Sequence, residues 1–148
     1  MKKGTVQAIT IAFFSCVIFA ACKKNKVPFF ANETIVTDSI LYKGVLGGGE
    51  FGDFATGAVS VEKLSGKKYL VFKNFASSNG PAVHVYLSKT IGSNAMPATE
   101  FIDIGLLKAT AGAFNYELTT NPDITNYKYA LVWCAQFNIQ FGVAELKK

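Results

Sequence analysis

Residues 57–75 read GAVSVEKLSGKKYLVFKNF. Val59 and Val61 alternate with Ser60 and Glu62, the chain turns at Leu64-Ser65-Gly66, and a second run follows in which Tyr69, Val71 and Phe75 alternate with Leu70 and Phe72. Period two on either side of a Ser-Gly turn is the pattern of a β-hairpin, because successive strand side chains point to opposite faces. Working outward, AVHVYL at 82–87 sets Val83, Val85 and Leu87 on one face and His84 and Tyr86 on the other. Further short apolar runs occur at 101–104, 114–118, 129–134 and 139–143. Turn-forming clusters separate them, as at Ser77-Ser78-Asn79-Gly80-Pro81 and Thr119-Thr120-Asn121-Pro122. No sustained helical period is present. The pattern predicts an all-β fold, an antiparallel β-sandwich or barrel-like domain of roughly seven to nine strands.

The N-terminus has a different character. Met1-Lys2-Lys3 precedes an uncharged apolar run from Val6 to Ala21, and Cys22 follows. A positive end, an apolar stretch and small residues before a cleavage point make a signal peptide. The stretch Phe19-Ala20-Ala21-Cys22 resembles the lipobox of bacterial lipoproteins, although Phe19 replaces the usual aliphatic residue. That resemblance implies cleavage after residue 21 and acylation of Cys22, which makes the lipid membrane a partner. An unlipidated signal peptide and a retained anchor helix are the alternatives. The expected organisation is therefore a lipoprotein signal peptide at 1–21, a lipidated cysteine and tether at 22–43, and a β domain at 44–146. Lys23 follows the lipid cysteine where an inner-membrane retention signal would place aspartate. The expected address is the bacterial cell envelope, lipid-anchored, in the outer membrane more than the inner.

Charge narrows the partners. All 15 basic residues are lysines, the formal net charge is +5, and two of the lysines leave with the signal peptide. Without arginine there is no planar fork for phosphate, and outside the ends the lysines are scattered, so nucleic acid is not an expected partner. Lys23, Lys24 and Lys26 read as a flank of the lipid anchor.

Chemistry then rests on few residues. Of the three cysteines, Cys16 leaves with the signal peptide and Cys22 is consumed by lipid, so Cys134 is the one free thiol of the mature chain. A Cys-x-x-Cys redox pair and a Cys-x-x-Cys-His haem attachment are both missing. His84 is the only histidine, one short of the two that a blue-copper site needs, and the Cys and His side chains are too few for structural zinc. No metal or cofactor is assigned. Cys134 and His84 could form a nucleophilic pair if their strands are neighbours, or His84 is an ordinary strand residue. GVLGGGEFG at 44–52 is glycine-rich, but strand-like sequence follows it instead of a phosphate-binding helix. In 129–134, Tyr129, Leu131 and Trp133 share one face and Val132 and Cys134 the other. Both faces are apolar, as in a central strand covered on both sides, which reads Cys134 as a small core hydrophobe and Trp133 as core packing. A redox role requires instead that the thiol be reachable and partly ionised.

The ordered segments GEFGDFATGAVSVE, KYLVFKNFASSNGPAVHVYLS and FIDIGLLKATAGAFNYELTTNPDITNYKYALVWCAQFNIQFGVAEL together resemble the DM-thirteen domain, a small extracytoplasmic module. The likeness spans about residues 44–146. It implies a β-sandwich-like domain with an electron-transfer or redox role at the cysteine matching Cys134; the residues themselves offer His84 and Trp133 as candidate site neighbours. Ala82 departs from the acidic residue that commonly follows Gly-Pro in that family. The expected function is a membrane-anchored domain transferring electrons through Cys134 to a redox protein partner. The alternatives are a non-catalytic envelope module that binds a surface protein or glycan, and a structural envelope protein.

Overall fold

The computed structural model describes residues 29–91 and 97–148. The signal peptide, Cys16, Cys22 and the lysines beside it lie outside the described residues. Nine strands form two sheets, with no helix among the described residues. They are β1 (Ala31–Asn32), β2 (Ser39–Leu46), β3 (Ala55–Leu64), β4 (Lys67–Ser77), β5 (Val83–Ser88), β6 (Phe101–Leu106), β7 (Ala111–Glu117), β8 (Tyr129–Cys134) and β9 (Ile139–Glu145). One sheet has the order β1-β7-β4-β3-β2 and the other β6-β5-β8-β9. The expected all-β sandwich is the fold, and it is not a closed barrel.

The quoted hairpin is β3–β4, turned at Ser65-Gly66 with both residues in the left-handed region. Its inner face carries Val59, Val61, Leu70 and Phe72, all buried in the space between the sheets. Phe75 also lies on this face, not with Tyr69 and Val71 as alternation predicts. The cause is a bulge: the pairing shifts between Phe72 and Phe75 on one side and between Thr56 and Ala58 on the other, with Asn74 left-handed. One extra residue reverses the facing of all that follow it. Gly57 sits opposite at φ 122°, where a side chain would strike the Asn74 carbonyl. The gain is an aromatic cluster: Phe72 stacks on Phe114 at 5.0 Å, and Phe75 meets both rings edge-on.

Residues 29–43, expected as tether, belong to the fold. β1 pairs in parallel with β7, Glu33 bridges to Lys108 at 2.8 Å, and Thr37 donates to Glu62 at 2.6 Å. β2 is a full edge strand of the first sheet, antiparallel to β3. It also joins the second sheet: Lys43 and Lys147 exchange backbone hydrogen bonds, as do Gly47 and Val143. Gly44 permits this seam, since a side chain there would run into the Glu145 carbonyl.

Tyr116 ties the β6–β7 connection to the core. Its hydroxyl donates to the Leu106 carbonyl at 2.9 Å and accepts from the Lys108 amide at 3.0 Å. Burial pushes its phenol well above the ordinary tyrosine range, despite the opposing bond from Lys108. Tyr116→Phe leaves both backbone groups without that partner and should cost about 1–3 kcal/mol in urea unfolding; no measurable cost would show that water replaces the hydroxyl.

The connections 47–54, 78–82, 107–110 and 135–138 lie at one end of the sandwich, where the chain also enters at Phe29. The β3–β4 turn, the β1–β2 and β7–β8 connections, the described residues of the β5–β6 connection and the C-terminus lie at the other.

Candidate functional site

β8 lies between β5 and β9, and every residue from Ala130 to Cys134 is buried. Ala130, Val132 and Cys134 face the core between the sheets, whereas Leu131 and Trp133 belong to a separate cluster with Tyr86, against which Phe101, Ala135 and Val143 pack. The inner face is covered by the opposite sheet, and the outer pair is buried by these side chains, Tyr86 and Val143 coming from the flanking strands that a central strand has on either side.

Cys134 ends β8 opposite Val83, with a side chain that is 0% exposed. Its Sγ donates to the Pro81 carbonyl at 3.2 Å. Just beyond, the Ala135 amide donates to the Ala82 carbonyl at 3.0 Å, so the 78–82 loop closes over the thiol from one side. That loop is itself held: the Ser78 amide donates to the Phe54 carbonyl, the Phe54 amide donates to Ser78 Oγ, and Gly80 packs on the Phe141 ring. Ala82 is exposed and left-handed at φ 53°. Asp and Asn tolerate that conformation better than alanine, which gives the acidic residue of the resembled pattern a conformational reason at this position.

His84 is on the strand next to Cys134, as a pair would need, but it faces the other way. In the antiparallel register Val83 opposes Cys134 and His84 opposes Trp133, so the imidazole lies on the outer face of the sheet and the thiol on the inner. The structure brings His84 to Trp133 and not to Cys134. His84 Nδ1 meets Asp103 Oδ2 at 2.9 Å, its ring lies 5.8 Å from Tyr86, and Tyr86 stacks on Phe101 at 4.3 Å. Asp103 was not among the residues singled out from sequence; its link to His84 depends on the β5–β6 register, which no local pattern encodes. Among the described residues, no group of three or more His, Cys, Asp or Glu side chains is placed to hold a metal ion.

Comparison with known proteins assigns this sandwich. The sequence model of the family described as Electron transfer DM13 matches residues 51–146. The chain belongs to this family. The match takes in β3 to β9, with Cys134, Pro81, His84 and Trp133, and begins later than the residue 44 expected from the resemblance. No curated protein and no solved structure matches the chain. The description of the family names electron transfer, and that is the role which membership implies for the domain.

Proposed function

We propose that this chain is an electron-transfer domain of the bacterial cell envelope, anchored by acylated Cys22 and preferring the outer membrane, with Cys134 as its redox group. The observation that carries this reading is the position of Cys134 within the DM13 domain: a thiol at the end of a central strand, separated from the surface by one short loop. A single thiol exchanges with a disulfide on a partner. The Cys134 thiol gives up its proton, its sulfur bonds to one sulfur of the partner disulfide, that disulfide breaks, and the second partner sulfur leaves as a thiolate. The partner supplies the oxidising equivalent. A dithiol on a second protein then attacks Cys134 Sγ, releasing the first partner as its dithiol. The second thiol of that protein frees Cys134 as its own disulfide forms, so two electrons pass from the second protein to the first. Because Sγ is covered, this exchange requires the 78–82 loop to open.

An aromatic disulfide reagent that releases a coloured thiolate tests the reading on the folded protein. Local opening predicts labelling of Cys134 faster than global unfolding and only weakly dependent on urea. Cys134→Ser should abolish labelling with little change in the unfolding midpoint, since a serine hydroxyl can still donate to the Pro81 carbonyl. Labelling that keeps pace with global unfolding at every urea concentration would defeat the redox reading. The complete burial of Cys134 favours the second reading in that case, a non-catalytic envelope module that binds a protein or glycan partner.

A further inference from the structure

We propose that the Cys134 end of the sandwich docks on the surface of a lipid bilayer, a proposal that rests on anchoring through Cys22. The observation is an asymmetry of exposed aromatics. The five exposed phenylalanines among the described residues, Phe29, Phe30, Phe51, Phe54 and Phe137, all lie at this end, in the incoming segment and the 47–54 and 135–138 connections. Phe29, Phe51 and Phe137 are 80%, 88% and 58% exposed. Aliphatic side chains are exposed at both ends, Val36, Ile40 and Ile91 at the far one, but aromatic rings left so open and gathered at one end mark an interaction surface. Phe51 is held out at φ 54°, a conformation unfavourable to a residue with a Cβ, so its presentation is imposed by the loop and does not come from local preference.

Chain length selects the bilayer as the occupant. Seven residues carry the chain from Cys22 to Phe29, a reach of about 25 Å even when fully extended. The sandwich is longer than that, because the 11 residues of β4 alone run about 35 Å. With Phe29 at the Cys134 end, the opposite end cannot be turned to a membrane that holds Cys22, and the aromatic end stays close to it. Attraction to anionic headgroups is not the basis of the contact. Glu50 and Asp53 share the 47–54 connection, and the Glu50 carboxylate is engaged by the Gln140 amide. The surface therefore suits the interfacial layer, where rings insert among acyl chains. It also brings the covered thiol close to the bilayer.

The test uses the full chain, expressed with its own N-terminus and reconstituted into phosphatidylethanolamine vesicles with brominated acyl chains. Tryptophan is introduced singly by Phe51→Trp, Phe137→Trp and, at the opposite end, Val36→Trp, against the Trp133 background of the wild type; Val36 is 91% exposed. Rings seated about 5–10 Å into the boundary lie within reach of the bromines, so Phe51→Trp and Phe137→Trp should lose about half or more of their added emission and Val36→Trp none. Flotation of the wild type but not of Cys22→Ser reports anchoring separately. Flotation without quenching at Phe51→Trp and Phe137→Trp, or equal quenching at all three positions, overturns the docking and leaves the anchor standing. A wild type that does not float overturns both.

Discussion

Replacing Phe72 by alanine should lower the stability of the domain by about 3–5 kcal/mol, enough to unfold much of a marginally stable protein. Phe72 is fully buried and central to the aromatic cluster: it stacks on Phe114 at 5.0 Å and meets Phe75 and Tyr116 edge-on at 5.6 and 6.2 Å. Its removal leaves a cavity between two sheets whose facing residues are pinned by backbone pairing and cannot collapse into it. Urea unfolding of Phe72→Ala beside Val36→Ala makes the comparison, since Val36 is exposed and its loss should cost no more than about 0.5 kcal/mol. A cost at Phe72 below about 1 kcal/mol would mean that the sheets do move together, contrary to the packing described.

The second large effect is expected at Glu62, a carboxylate 1% exposed on β3. Burial alone would raise its pKa. Hydrogen bonds from Ser60 and Thr37, each at 2.6 Å, the bond from Lys73 at 2.9 Å and the charge of Lys73 outweigh burial and hold it below the ordinary range. The folded state therefore binds this proton less readily than the unfolded chain. The stabilisation is fully present above the unfolded value of about 4.3 and is lost as pH falls through the lower folded one. Asp123, bonded to Thr125, and Glu145, bonded to Lys147, are also held low, and both act in the same direction from exposed positions. Glu62→Gln should cost about 2–3 kcal/mol at neutral pH, less than a fully buried pair, because Lys73 is half exposed. It should also flatten the acid limb of the stability curve. An unchanged acid limb in Glu62→Gln would assign that limb to other carboxylates. Thr37 makes this network structural in a second sense, because it fastens the connection between β1 and β2 to the outer face of the first sheet.

The hairpin at 57–75 and the runs at 82–87, 101–104, 114–118, 129–134 and 139–143 are legible from alternation and turn residues, and with them the all-β sandwich; the strands they mark extend to 83–88, 101–106, 111–117, 129–134 and 139–145. Local signals also identified β8 as a strand covered on both faces, hence the burial of Cys134 and Trp133. β1 and β2 were not legible. β1 has two residues and exists only through its pairing with β7, while β2 is an edge strand whose alternation is broken by a register shift between Ile40 and Tyr42 and by Gly44. Phe75 was placed on the wrong face because a bulge adds a residue without any change in composition that announces it.

Sequence by itself determined the strand periods, the turns, the single thiol of the DM13 domain and the hydrophobic character of both faces of β8, because each is set by neighbours a few residues apart. Only the tertiary structure decided that His84 and Cys134 occupy opposite faces, that Asp103 meets His84, and that Pro81 covers the thiol. It also gathered five exposed phenylalanines at the end where the chain enters. These follow from the register between strands and from which connections share an end of the sandwich. Both are settled by contacts between residues far apart in the chain, where burial of the whole core selects one pairing over its one-residue slips.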